Sequence, residues 1–238
     1  MKRETESLEN LVCGGLIGKK IHYLKEVNST NSYAMKHLWQ SPPGCNLYTS
    51  IILRPSIKPS LAPQLTLMTG VAVAELLTQY CPEQVFLKWP NDVLVGGKKI
   101  CGILTEMSVK HGAVDFVVVG IGININIQKT DLDEEHRHRA TSLLEETAGQ
   151  VSRVSFASAL FEAFEGWYES YISRGFPFIK DRWTELSGII GNEIAVSDGD
   201  TVKTGTALGI TDFGELIMID TNNKTHQIIA GDVETIGG

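Results

Sequence analysis

The spacing of apolar and polar positions divides the chain into stretches of different period. Residues 46–53 (Asn-Leu-Tyr-Thr-Ser-Ile-Ile-Leu) predict a strand whose loose alternation implies burial on both faces. Residues 60–80 predict a helix, with Pro63 in its first turn and Leu65, Met68, Ala72, Leu76 and Tyr80 at helical spacing. Leu67, Val71 and Val73 widen that stripe, so the helix reads as core rather than site. From 85 to 127 the period drops to two, over residues 85–89, 92–95, 99–109 and 114–127. Gly96-Gly97 and Lys110-His111-Gly112 join these runs closely enough for hairpins, which predicts an antiparallel meander. In the third run strict alternation puts Lys99, Cys101, Ile103, Thr105 and Met107 on one face, with Ile100, Gly102, Leu104 and Glu106 on the other.

Helical spacing then returns. Residues 141–149 predict a short helix ending at Gly149, and Ser155 is expected to cap a longer one carrying Ala157, Leu160, Phe161, Phe164, Trp167, Tyr168 and Tyr171. An aromatic stripe at that spacing reads as core. A further helix is expected over 178–186, with Trp183. After Ser187-Gly188 come short strands near 193–197, 201–210, 216–220 and 225–229, punctuated by Asp198-Gly199, Phe213-Gly214 and Asn222-Asn223. They form a β-module of about 50 residues, a size that leans on a neighbour for stability. At the other end, residues 21–26 predict a strand leading into Ser29-Thr30-Asn31 at a helix start. Locally those hydroxyls read as N-caps, and a second reading lets them hold a small polar ligand. Trp39, beside Ser41-Pro42-Pro43-Gly44, is either a packed turn or an aromatic pocket wall.

Composition narrows the classes. The 238 residues, 42% hydrophobic and 21% charged, supply one sizeable core and a small second domain. A net charge of −7 argues against nonspecific nucleic-acid binding, which needs clustered cations. No run of membrane-span length and no signal-type segment is read in the sequence, so a cytoplasmic protein without a membrane part is expected. The weakly patterned first 20 residues leave no room for a helix-turn-helix, and no DNA-binding domain is expected. Cys13, Cys45, Cys81 and Cys101 form no Cys-x-x-Cys pair, which suits reduced thiols. His136 and His138 lie in a charged stretch, 131–139, that reads as solvated loop rather than metal site.

Chemistry concentrates in Lys88-Trp89-Pro90-Asn91-Asp92, where a proline breaks the ladder so that Asn91 and Asp92 leave the strand at its rim. Gly102 within a strand implies close approach of something to the backbone. Gly120-Ile121-Gly122-Ile123-Asn124 lacks the third glycine and following helix of a dinucleotide fingerprint. It reads as strand, with its glycines and Asn124 on one face.

Together these motifs resemble the biotin protein ligases. The resemblance is carried by Ser29-Thr30-Asn31, the run from Trp39 to Tyr48, Lys88 to Asp92, Lys99-x-x-Gly-Ile-Leu, Gly120-x-Gly-Ile-Asn124 and the β-tail, six features in the family's order over nearly the whole chain. It implies an α+β fold, a mixed, largely antiparallel sheet with flanking helices of the class II synthetase-like biotin/lipoate ligase type, plus a small C-terminal SH3-like β-barrel. The expected domains are 1–187 (catalytic) and 188–238 (SH3-like). It also implies ATP-dependent activation of biotin to biotinyl-5′-AMP and transfer to a lysine of a biotin carboxyl carrier protein, with ATP and biotin as substrates, Mg²⁺ as cofactor, and a homodimer allowed.

Carried over by position, Lys99 matches the lysine that contacts biotin near its reacting carboxylate. Lys88 and Asp92 complete the expected catalytic set. Ser29, Thr30, Asn31, Trp39, Gly102, Gly120 and Gly122 fall on the biotin side. Lys88, Asn91, Asp92 and Asn124 fall on the ATP side, and Asp92 is the candidate Mg²⁺ ligand. One departure stands out: Leu38 runs directly into Trp39, where the family carries a further strand and a Gly-Arg-Gly-Arg-type loop. Either the deletion is genuine, leaving a weakly active or non-ligating biotin-binding protein, or a segment is missing from this sequence. A lipoate ligase or octanoyltransferase relative is the remaining alternative.

Overall fold

The structure, a computed structural model, describes residues 42, 44–132, 134 and 137–236. Ser29, Thr30, Asn31, Trp39, the predicted strand over 21–26 and the Leu38–Trp39 junction lie outside the described residues.

Among the described residues ten strands form two antiparallel sheets. The first has the order β1-β5-β4-β3-β2, from β1 (Leu47–Leu53), β2 (Val85–Lys88), β3 (Asp92–Val95), β4 (Lys98–Lys110) and β5 (Ala113–Ile123). The β2–β5 meander predicted from the period-two pattern is present. Gly96 and Gly97 turn the β3–β4 hairpin with φ of 55° and 77°, a left-handed pair that glycine adopts without strain. Helix α1 (Ala62–Thr78), preceded by a 3-10 turn at Pro59–Leu61, packs on one face of this sheet, with Gly70 close to Leu87 and Ile103. Helices α3 (Arg153–Arg174) and α4 (Phe176–Leu186) pack against α1 in turn. Buried from both sides, α1 is apolar nearly all round. Its stretch Pro59–Thr78 has the length and hydropathy of a membrane span, contrary to the sequence reading, but 72% of that window is buried within the protein.

Several local expectations are corrected. β1 is buried on one face only: Leu47, Ile51 and Leu53 face the core, while Tyr48 and Ile52 are exposed. Strand β5 stops at Ile123: Asn124 N makes a last bond to Ile100 O of β4, while the Asn124 side chain and Asn126 bond to loops. The long helix starts at Arg153 under a Ser152 cap whose Oγ accepts from Ser155 N, so Ser155 sits at the third helical position rather than the cap. Helix α2 (Leu143–Thr147) ends at Ala148 in the left-handed region, one residue before Gly149.

The second sheet, of order β10-β6-β7-β8-β9, is the SH3-like module: β6 (Glu193–Asp198), β7 (Thr201–Ile210), β8 (Leu216–Ile219), β9 (Thr225–Ile228) and β10 (Asp232–Thr235). β10 had no sequence signal, since Val233 is its sole buried residue. The module is joined to the first sheet at β2, where Gly188 N donates to Leu87 O. A buried polar relay holds its β7–β8 turn: Tyr171 hydroxyl donates to Gln64 Oε1 (2.7 Å), and Gln64 Nε2 donates to Asp212 O (2.6 Å).

Candidate active site

The site is built where β2 and β3 end. Their register pairs Lys88 with Asp92, so Trp89, Pro90 and Asn91 form a three-residue connection containing a cis Trp89–Pro90 bond. Trp89 does not face the site. It is 2% exposed, and its Nε1 donates to Gly214 O of the C-terminal module at 2.9 Å. Asn91 is fastened to β4: its carbonyl accepts from Ile103 N (2.9 Å), and its Nδ2 donates to Ile103 O (2.8 Å). The proline thus ends one ladder, and Asn91 starts the next.

The ladders place the expected residues in one line. Lys88 pairs with Asp92, Asp92 with Gly102, Gly102 with Gly122, and Gly122 with Tyr48, a row across all five strands. The adjoining row is Leu104, Gly120 and Ser50. Because Val93, Cys101, Ile103, Ile121 and Ile123 are fully buried on the α1 side, these rows occupy the opposite face. Gly102, Gly120 and Gly122 therefore give that face a floor of bare backbone, flanked by Asp92 on one side and Tyr48 on the other.

Strict alternation would point Lys99 with Cys101 into the α1 face. It does not, because the β3–β4 register shifts: Val93 pairs with Cys101 but Leu94 pairs with Lys99, leaving Ile100 as a bulge. The extra residue turns Lys99 onto the Asp92 face, a known use of bulges beside sites. Lys99 Nζ lies 2.6 Å from Asp92 Oδ1, an ion-pair contact without good hydrogen-bond alignment. Both side chains are shielded, at 26% and 13% exposure, so the attraction is less screened than at an open surface. The Lys99 backbone is held in a parallel bridge, donating from its N–H to Arg139 O and accepting at its carbonyl from Thr141 N. Beneath it, burial and then the nearby Asp92 carboxylate push the Cys101 thiol far above its ordinary range, which keeps it protonated and unreactive.

The remaining candidates are placed differently. Lys88 sits at the rim with Nζ 3.5 Å from Asp232 Oδ1 of β10. Asn124, expected to reach a nucleotide, is fully buried, with Nδ2 donating to Thr141 O and Oδ1 accepting from Asn46 Nδ2. Its amide is committed to the scaffold that aligns β5 with the 139–143 segment. Asn46, overlooked in the sequence, completes that scaffold by accepting from Ile125 N. No cluster of three or more His, Cys, Asp or Glu side chains suited to a metal occurs among the described residues. Asp92 is the single carboxylate of the row. A groove of about 420 Å³ between α1 and the C-terminal module, lined by Pro63, Thr66, Met107 and Phe213, contains none of these residues.

This glycine-floored sheet face, with a lysine–carboxylate pair at its rim, is followed in the chain by the SH3-like module. Residues 34–124 match the biotin/lipoate A/B protein ligase family, and residues 189–235 match the biotin protein ligase C-terminal domain. The chain belongs to the biotin protein ligase family: it is 32% identical over 183 residues to the biotin–[acetyl-CoA-carboxylase] ligase of Paracoccus denitrificans, covering 76% of each chain. It is 36% identical over 200 residues to the bifunctional ligase/repressor BirA of Bacillus subtilis, using 84% of this chain but spanning only 61% of that protein's length. The biotin protein ligase of Aquifex aeolicus solved with biotin and ATP superimposes with a TM-score of 0.68 at 27% identity, covering 81% of this chain and 78% of that one.

Proposed function

We propose that the chain is a biotin protein ligase, which joins biotin to AMP and then transfers the biotinyl group to a lysine of a biotin carboxyl carrier domain. The observation that carries the reading is the Lys99–Asp92 pair, aimed by a bulge onto the glycine-floored face. The fused bicyclic ring of biotin can lie against bare backbone where any Cβ would hold it off, leaving the carboxylate of its side chain beside the Lys99 ammonium. The names of the Paracoccus and Aquifex relatives, with their substrates, support the same chemistry.

In the first step a biotin carboxylate oxygen attacks the α-phosphorus of ATP, the bond to the β-phosphate oxygen breaks, and pyrophosphate leaves with the electron pair. Two anions must meet, so fixed cations lower the barrier. Lys99 supplies one at the carboxylate, and Lys88 supplies the other on the phosphate side. In the second step the neutral amine of the carrier lysine attacks the acyl carbon, the acyl–phosphate C–O bond breaks, and AMP leaves. Asp92 stands at the rim where that amine enters, and its carboxylate is the base for the released proton. Asp92 would be the protein ligand of a bound magnesium ion, which would supply further positive charge to the phosphates.

The test mixes the purified chain with biotin, ATP, magnesium and a carrier domain. The expected result is a mass gain of one biotinyl group on the carrier, with pyrophosphate released. Biotin binding without pyrophosphate release would overturn the ligase reading in favour of a binding protein. Transfer of lipoate in preference to biotin would overturn the substrate.

A further inference from the structure

Two cations beside the site end in ion pairs supplied by the other domain. β10 carries Asp232 and Glu234 at i and i+2, on one strand face, opposite to the buried Val233. Asp232 Oδ1 is 3.5 Å from Lys88 Nζ, and Glu234 Oε1 is 3.7 Å from Arg139 Nη1. Lys88 pairs directly with Asp92, and the Arg139 carbonyl accepts from Lys99 N, so the two pairs bracket the Lys99–Asp92 contact. β10 is held to its sheet by β6, and three contacts tie that module to the first sheet and α1: Trp89 Nε1 to Gly214 O, Gln64 Nε2 to Asp212 O, and Gly188 N to Leu87 O. The module that delivers Asp232 is therefore clasped to the very segment that carries Lys88.

We propose that Asp232 is the resident counter-anion of Lys88, holding the place that a nucleotide phosphate takes, and so sets the affinity for ATP by competition. The inference rests on the adenylating reading of the site. A carboxylate and a phosphate oxygen demand the same thing of an ammonium: close approach and a share of its three donors. The Lys88 side chain is 23% exposed and Asp232 is 79% exposed, so the lysine is the fixed member and the carboxylate is the one that yields to water when phosphate arrives. Without ligand the pair spares Lys88 an unpaired charge. With ligand that pairing is lost, and the observed affinity is lower by its worth. The consequence runs against the usual effect of deleting an ion pair at a site: removing Asp232 tightens nucleotide binding.

The experiment measures binding of the α,β-methylene analogue of ATP, in which the bond broken by adenylation is replaced, to the full chain at saturating biotin by calorimetry. The variants are Asp232→Asn and, as a control with the same change in net charge on the neighbouring β6–β7 turn, Asp200→Asn, whose carboxylate makes no ion pair among the described residues. An exposed pair is worth a factor of about two to five in an equilibrium constant, so Asp232→Asn is expected to bind about two- to five-fold more tightly. That gain should shrink as salt is raised to about 0.5 M, where screening acts within a few ångströms. Asp200→Asn should match the wild type. Unchanged or weaker binding by Asp232→Asn, or an equal gain in Asp200→Asn, would overturn the proposal while leaving the ligase reading intact. A wild-type chain that binds no analogue would overturn both.

Discussion

Replacing Trp89 by Phe removes one hydrogen-bond donor and part of one ring from the join between the two sheets. The indole is almost wholly buried, and its N–H reaches Gly214 O at 2.9 Å. In the variant that carbonyl is left buried without this donor, at a cost of about 1–3 kcal/mol. The lost ring leaves roughly 40 Å³, which at about 24 cal/mol per Å³ adds about 1 kcal/mol. Together these predict a loss of about 2–4 kcal/mol, read from the urea midpoint at unchanged slope. The location of the loss is equally specific. Amide exchange should accelerate at Gly214 and Thr211, whose N–H groups close the turn on Thr211 O and Glu215 O, more than in the centre of the first sheet. A stability change below about 0.5 kcal/mol, or exchange that rises evenly over the chain, would refute the view that this bond clasps the module to the site.

Three further outcomes follow from the same geometry. Gly214 has φ of 85°, and a Cβ there would come within 2.9 Å of Leu67 Cδ1, so Gly214→Ala should lower stability by about 1–3 kcal/mol; an unchanged melting temperature would contradict it. Burial pushes the Tyr171 phenol up to about 12. The unfolded chain releases that proton near 10 while the folded chain keeps it, so stability should fall between pH 10 and 12 by something on the order of 2 kcal/mol. Tyr171→Phe should lack that alkaline slope, and identical pH profiles would refute the assignment. Gly122→Val sets a branched side chain on the floor between Gly102 and Tyr48; by calorimetry it should weaken biotin binding at least about tenfold, and wild-type affinity would mean the ring lies elsewhere.

The meander, the helices and most of the small β-tail were legible because each depends on local period and turn chemistry, whereas the SH3-like form of the tail was implied by the family resemblance. Lys99, Asp92 and the glycines were legible as residue types but not as an arrangement. The β4 pattern by itself puts Lys99 on the wrong face. The bulge at Ile100 that corrects this is a property of pairing with β3, and no residue of β4 announces it. Asn124 was misplaced for a related reason: an amide on the glycine face looks available until its partners, Asn46 and Thr141, arrive from distant segments. Trp89 looked like part of a pocket motif, yet its function in the fold is a bond to Gly214, 125 residues away. Asp232 carried no signal at all, because four polar-edged residues with one buried valine do not stand out as a strand.

Lys99, turned onto the glycine-floored face beside Asp92, is the group that we propose activates the biotin carboxylate toward ATP. Biotin-dependent exchange of labelled pyrophosphate into ATP measures that step alone, without the carrier protein. The wild-type chain should catalyse exchange only when biotin is present, and Lys99→Ala should lose it by about 10²–10³-fold while keeping its fold. Exchange at the wild-type rate in Lys99→Ala, or no biotin-dependent exchange by the wild-type chain, would contradict it.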